Sequence, residues 1–279
     1  MTVIKTINNI VLSGGGVKGV SMCGVFKRLK ELELDDKIIL DIKELLGVSA
    51  GSIFGFLYII GYTPDEMIEE ILAKNFSDLT DVSIFSMFAN YGIDSGDNVK
   101  NYICYLMGKK GVKQGITFSE FHDKTGVNFR VSATNLDRNT QVIFDYTNYP
   151  HLPVIDAIRM SYGVPFVFTC INFEGCTYVD GGMADNYPIE LYQDQADTTF
   201  GVQLVTNHSR VDLNTFQKYT NAIITCLKIQ LQDKAESSTT LNVDADIMSS
   251  MNFDLSSEDK KDLFHIGYSS CTRFFDALD

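Results

Sequence analysis

Basic side chains are scarce in this chain: 23 lysines and arginines stand against 36 aspartates and glutamates over 279 residues, a formal net charge of −13. Nucleic acid is excluded as a partner, because phosphate binding needs clustered Lys and Arg. The same deficit removes a strong electrostatic pull toward anionic lipid, and its plain consequence is solubility. Much of the imbalance lies late: Asp233 to Asp279 holds four basic residues against ten acidic ones. The six cysteines, Cys23, Cys104, Cys170, Cys176, Cys226 and Cys271, form no C-x-x-C pair, and no His stands at metal-ligand spacing from any of them. They are expected to be free thiols in a reducing compartment, although Cys170 and Cys176 flank a tight turn at Glu174-Gly175 across which they could face each other. No calcium loop is present. The N-terminus lacks a basic stretch followed by a long apolar one and a small-residue cleavage site. No apolar run reaches the ~20 residues needed to span a bilayer. The chain is expected to be cytoplasmic, touching membranes at most from outside.

What is present is a hydrophobic content of 45%, enough to bury a full core. The length suits one domain over residues 1–279 rather than two. Ile7–Leu12 reads as a strand ended by Ser13-Gly14-Gly15-Gly16. A helical stripe follows from Val17 through Val20, Gly24, Leu29 and Leu32. Ile38-Ile39-Leu40 is a short extended run. Residues Thr63 to Lys113 read as helical, opened by Thr63-Pro64-Asp65-Glu66, a good helix start. Phe129–Leu136 and Thr140–Phe144 read as strands joined by a polar turn at Asp137-Arg138-Asn139. Val154–Met160 is a short helix, Thr177–Gly182 a strand running into a glycine turn, and Thr199–Val205 another strand. Two helices close the chain, about Asn214–Asp233 and Ser257–Phe275, with Ser237–Ser250 expected as a mobile loop between them. Helices alternating with strands predict an α/β fold whose mostly parallel sheet is covered on both faces.

Gly47-Val48-Ser49-Ala50-Gly51 carries the chemistry. It is a G-x-S-x-G sequence between an apolar run ending at Leu45-Leu46 and a long apolar stretch, Ser52–Ile60. Strand, sharp turn and helix are the context of a nucleophile elbow, which pushes a serine hydroxyl out of the sheet toward a substrate.

Such a serine needs a base and an oxyanion hole. Only His122, His151, His208 and His265 are available. Each reads more simply as a surface or capping residue, and His208, just after a strand, is the hardest to dismiss. The other candidate base is Asp180, at a predicted strand end, where α/β sheets collect their ligands. Its alternative role is that of a turn residue before Gly181-Gly182. Gly14-Gly15-Gly16 can turn backbone N–H groups toward an anion, helped by the helix that follows. The same loop matches a dinucleotide fingerprint, Gly14-x-Gly16-x-x-Gly19, with Asp41 about 20 residues on. A P-loop is excluded, because Val20 follows Gly19 where a Lys is required.

Taken together, these loops resemble the patatin-like phospholipase family. Ser13-Gly14-Gly15-Gly16-Val17-Lys18-Gly19 is similar to its glycine-rich oxyanion loop, Gly47–Gly51 to its elbow, and Asp180-Gly181-Gly182 to its D-G-A/G motif. Met160–Phe168 resembles its Ser-x-x-x-Pro-x-x-Phe segment and Asn186-Tyr187-Pro188 its Asn-x-Pro. The resemblance covers about residues 7–191. Ser13 stands where plant members often have Asp, and Lys18 where Arg is common. It implies a three-layer α/β/α fold and a Ser–Asp dyad. Ser49 would attack a fatty-acyl ester, Asp180 would act as general base, and the N–H groups of Gly14, Gly15 and Gly16 would hold the oxyanion. No metal or cofactor enters this scheme, and the implied partner is a phospholipid or related lipid. Two other readings stand beside it: a catalytically idle lipid-binding or regulatory protein, and a dinucleotide-dependent oxidoreductase. The latter leaves Gly47–Gly51 and Asp180–Gly182 unexplained.

An apolar substrate and an acidic chain require a local apolar surface. Phe85, Met87, Phe88 and Tyr91 cluster in Ser83–Tyr91, as a cap over or beside Ser49 or as ordinary core.

Overall fold

The computed structural model describes residues 4–205, 219–220, 222–226, 239–245 and 249–277. Its elements are β1 (Thr6–Leu12), α1 (Ser21–Leu34), β2 (Ile39–Val48), α2 (Ala50–Ile59), α3 (Pro64–Ala73), α4 (Ile84–Asn90), β3 (Gly92–Asp94), α5 (Asp97–Lys109), α6 (Phe118–Thr125), β4 (Asn128–Asn135), β5 (Thr140–Phe144), α7 (Val154–Ser161), β6 (Phe166–Phe168), β7 (Ile171–Phe173), β8 (Cys176–Asp180), β9 (Thr199–Val205) and β10 (Thr240–Asp244). A C-terminal helix spans Ser257–Asp276.

The eight-stranded sheet runs β10-β9-β1-β2-β4-β8-β7, with β5 also paired to β4. Strands β10, β9, β1, β2 and β4 are mutually parallel, while β5, β8 and β7 join antiparallel. Parallel neighbours need crossover connections, and α1 supplies the one between β1 and β2. Helices α1 and α2 and the C-terminal helix gather the larger core, with Phe26, Phe56, Phe129 and Phe200 fully buried in it. Across the sheet, Val11 and Leu46 are covered by Tyr187, Ile189 and Tyr192, from the 3₁₀ segment Ile189–Thr198 and the turn before it. The α/β fold is therefore the expected one, with 3₁₀ turns forming part of the second covering layer.

Capping boxes set three of the helix starts, the one at α6 being Thr117 with Glu120. The Thr63 hydroxyl accepts from Glu66 N while the Glu66 carboxylate accepts from Thr63 N, and Ser256 and Asp259 repeat the arrangement at the C-terminal helix.

Several expectations need correction. Residues 63–113 are not all helical: β3 interrupts them and pairs with β6, and Phe76–Leu79 is a 3₁₀ turn. Ile39 and Leu40 of the short run Ile38–Leu40 open a ten-residue strand leading directly into the elbow. The predicted loop Ser237–Ser250 contains β10, whose Leu241 and Val243 are buried in strict alternation with exposed Asn242 and Asp244. Of the expected helix 214–233, residues 219–220 and 222–226 are helical and the remainder lies outside the described residues. Cys170 and Cys176 do not face each other, since Cys176 pairs with Phe173 across the Glu174-Gly175 turn, and both are free.

Candidate active site

The two edges of β4 explain the site. Residues 131–135 of β4 pair with β5 on one edge. Residues 128–132 pair with β2, and 133–135 with β8, so both of these strands share the other edge. Strand β2 ends with Val48 opposite Ser132, and β8, running the other way, ends with Asp180 opposite Ala133. Their C-terminal ends meet head-on, on consecutive rungs about 3.4 Å apart along β4. The chain after Val48 cannot continue straight and must turn out of the sheet at Ser49. That collision brings the predicted nucleophile and the predicted base together.

Ser49 makes the turn at φ 51° and ψ −122°, a region that favours glycine and is strained for a residue with a side chain. Helix α2 begins immediately after it. Its Gly47 and Gly51 neighbours are forced by close approach: a Cβ on Gly47 would lie 2.4 Å from Ser52 Cα, and one on Gly51 2.5 Å from the Leu12 carbonyl oxygen. The turn is held by hydrogen bonds. The Ser49 amide donates to Ser161 Oγ at 2.8 Å, and Ser161 Oγ donates to the Ser132 carbonyl at 2.6 Å. Ser52 Oγ donates to the Ser49 carbonyl at 2.6 Å.

Asp180 is fully buried. Its Oδ1 accepts the Gly182 amide at 2.8 Å, and its own carbonyl accepts Thr134 Oγ1 at 2.8 Å. The carboxylate is thus fixed by the first turn of the Gly181–Met183 segment that follows it.

The glycine loop lies against the elbow. A Cβ on Gly14 would stand 3.1 Å from Ser49 Cβ and 2.6 Å from Asn186 Oδ1. Asn186 clamps this peptide from both sides: its carbonyl accepts the Gly14 amide at 3.3 Å, and its Nδ2 donates to the Gly14 carbonyl at 3.3 Å. Gly14 therefore turns its N–H toward Asn186, which leaves Gly15 and Gly16 as the better-disposed of the three expected donors. Ser13 Oγ accepts the Leu204 amide at 2.8 Å and anchors the loop to β9. Lys18 is buried within the turn Gly16–Val20 that opens the following helix, and Gly19 packs on the elbow helix beside Ala50 and Phe54.

Ser49 opens into a cavity of about 960 Å³, its open mouth included. Ala50, Ile53, Phe54 and Leu57 line it along one face of α2, and Met67, Ile71 and Leu106 continue the wall on α3 and α5. The spacing of Ala50 to Leu57 corresponds to about 10 Å of helix. Its polar members are few. Burial raises the Tyr62 and Tyr102 phenols above their ordinary range and keeps them neutral. The Glu70 carboxylate is ion-paired with Lys109.

The other candidates are elsewhere. His122 stacks on Tyr146 with ring centroids 3.9 Å apart, His265 packs edge-on against Phe264, and His151 is exposed. None of these three lines the cavity. His208 lies outside the described residues. Asp41 sits near the start of β2, ion-paired to Lys43 at 2.6 Å, at the opposite end of the strand from the glycine loop. It is therefore not where a dinucleotide fingerprint needs its acidic residue. Among the described residues no group of three metal-ligating side chains occurs, and no helix is long and apolar enough to cross a membrane. Phe85 and Tyr91 are not core: they are 88% and 70% exposed, and neither lines the cavity. Ser161, Asn186 and the wall residues Met251 and Phe253 went unassigned in the sequence; the first two stand inside recognisable motifs that gave them no role.

The model of the family described as patatin-like phospholipase matches residues 10–191. The chain is 30% identical to uncharacterized protein R571 of Acanthamoeba polyphaga mimivirus over 95% of its length and 92% of that protein. It is 30% identical to the probable lipid hydrolase 463L of Invertebrate iridescent virus 6, over 67% of this chain and 63% of that protein, so it spans less than two thirds of that relative. In three dimensions it resembles VipD from Legionella pneumophila, with a TM-score of 0.61 and 15% identity, covering 97% of this chain and 67% of VipD.

Proposed function

The chain belongs to the patatin-like phospholipase family, and from that membership we propose that it hydrolyses fatty-acyl esters of phospholipids or related lipids with a Ser49–Asp180 dyad. As Ser49 Oγ adds to the ester carbonyl, its proton passes to the Asp180 carboxylate. The negative charge on the carbonyl oxygen is met by the N–H groups of Gly15 and Gly16, with the Gly14 peptide held behind them by Asn186. One such donor typically contributes ~10²–10³ in rate. Collapse expels the alkoxide, which takes the proton back from Asp180 and leaves as a lysolipid or alcohol. Asp180 then takes a proton from water as the water oxygen attacks the acyl-Ser49 ester; the second tetrahedral intermediate collapses, Ser49 Oγ leaves and takes that proton back from Asp180, and a free fatty acid departs. No step calls for a metal-bound water.

One observation carries this reading: Ser49, strained at the turn forced by the meeting of β2 and β8, opens into an apolar cavity that fits an acyl chain. A fluorophosphonate should label Ser49 covalently, and fatty acid should be released from defined phospholipids. Ser49→Ala should abolish both, and Asp180→Asn should abolish release. Absence of labelling and of release from every ester tried would sink the hydrolase reading and leave a lipid-binding protein.

A further inference from the structure

The segment 249–255 lies beyond the region matched by the family, yet it forms part of the cavity wall. At one end the Ser250 carbonyl accepts the Val17 amide at 2.9 Å, directly after the glycine run. The approach is so close that a Cβ on Gly16 would lie 2.0 Å from that carbonyl oxygen. At the other end the Phe253 ring stands edge-on to Phe168, with centroids 6.1 Å apart. Phe168 follows α7, whose Ser161 holds the Ser49 amide. The segment therefore bridges the two sides of the cavity at its Ser49 end, with Met251 and Phe253 facing the cavity. Its hold is firm. Met251 and Leu255 are buried, and Ser256 caps the C-terminal helix. That helix crosses α1 so tightly that a Cβ on Gly24 would meet the Phe264 carbonyl oxygen at 2.0 Å.

We infer that Met251 and Phe253 are specificity-determining residues: they narrow the cavity beside the reacting carbonyl, so that a straight acyl chain enters and one branched next to the carbonyl does not. The inference rests on the Ser49 hydrolase reading. Its physical basis is that Met251, buried, and Phe253, packed on Phe168, are held by their neighbours and cannot swing aside for an added methyl group, whereas the α2 face further along, at Leu57, sets depth rather than width.

The test uses the full chain and two chromogenic esters, p-nitrophenyl butyrate and p-nitrophenyl pivalate, whose acyl carbon next to the carbonyl is fully branched. Wild-type hydrolysis of the butyrate ester, lost in Ser49→Ala, establishes the underlying reading separately. Met251→Ala and Phe253→Ala should then raise the pivalate-to-butyrate ratio of kcat/KM about tenfold or more, the scale of one or two methyl groups in an apolar pocket. Leu57→Ala should leave that ratio unchanged. Should the alanine variants fail to fold, Met251→Val and Phe253→Leu should move the ratio in the same direction by a smaller factor. An unchanged ratio in folded variants overturns the assignment. So does an equal loss on both esters at an unchanged melting temperature, which would make the segment a support for the glycine loop instead.

Discussion

The Ser49 amide and the Ser161 hydroxyl are 2.8 Å apart, and the same hydroxyl donates onward to the Ser132 carbonyl at 2.6 Å. Ser132 faces Val48 in the sheet, and the next residue of β4, Ala133, faces Asp180. A single buried side chain thus ties the elbow to the strand against which Asp180 is registered.

Ser161→Ala would take away the hydrogen-bond partner of the buried Ser49 N–H, at about 1–3 kcal/mol for the unsatisfied group. The melting temperature should fall. If Ser49 is the nucleophile proposed above, turnover should fall at least tenfold with KM little changed, because the cavity is untouched while Ser49 loses its tether. Ser161→Thr retains the hydroxyl and should recover part of the turnover. Initial rates beside thermal melts check this; a Ser161→Ala enzyme with lower stability but full turnover would make the hydroxyl a structural support only.

Ser49 itself stores strain. A non-glycine residue at φ 51° and ψ −122° costs of order 1–3 kcal/mol. Ser49→Gly should raise stability by about 1 kcal/mol, after glycine's greater unfolded-state entropy is subtracted, while abolishing hydrolysis. Ser49→Ala keeps the Cβ and should lose activity with little gain in stability. Denaturant melts of the two variants separate the outcomes, and equal stability in both would show that the turn is not strained.

How much of this was legible in the sequence differs by feature. The elbow, the glycine loop and Asp180 each follow from local residue patterns, because glycine run, apolar strand and helix start are short-range signals. Their convergence was not legible from spacing, since it depends on β2 and β8 sharing one edge of β4, which brings the strand ends Val48 and Asp180 together from more than a hundred residues apart. Strand β10 was missed because Thr240–Asp244 shows only two apolar positions in a polar stretch, and its burial comes from β9. The Ser83–Tyr91 aromatics could not be assigned by composition alone: a stripe of that kind reads the same in a core and on a surface. Asn186 stood in a recognised motif, but its grip on Gly14 needs the fold to bring residues 172 apart together.

Acid–base behaviour should show at Asp94, the last residue of β3. Burial, reinforced by the neighbouring Asp81, pushes the Asp94 carboxyl up to about 6. Its two oxygens accept the Asp81 and Gly96 amides at 2.9 and 2.7 Å. An ordinary Asp titrates near ~3.9, so the folded state holds this proton more tightly than the unfolded one. The resulting stability is fully present below about pH 4 and is lost as the pH rises through about 6. Asp94→Asn cannot ionise there. The melting temperature of the wild type, relative to that of Asp94→Asn, should therefore decline from pH 4 to pH 7. A constant difference across that range would contradict the shift.

The membrane prediction follows from exposure. Val82, Phe85 and Tyr91 present apolar surface to solvent around α4. This segment adjoins the cavity at both ends: Leu79 lines it on one side, and β3 pairs with β6, whose Phe168 lines it on the other. An acidic chain gains little from anionic headgroups, so any contact with a lipid surface would come from apolar side chains that lose water on touching it. Burying an aromatic side chain of this size is worth about 1.5–3 kcal/mol, roughly tenfold or more in partitioning. The double variant Phe85→Ser, Tyr91→Ser should therefore lose about tenfold or more of its fatty-acid release from phosphatidylcholine vesicles. Hydrolysis of a soluble short-chain ester should stay within about twofold, and the melting temperature should barely move, because surface substitutions of this kind shift stability by about 0.5 kcal/mol or less. Equal losses on vesicles and on the soluble ester would detach these residues from the membrane and turn the search for the contact surface to other faces of the molecule.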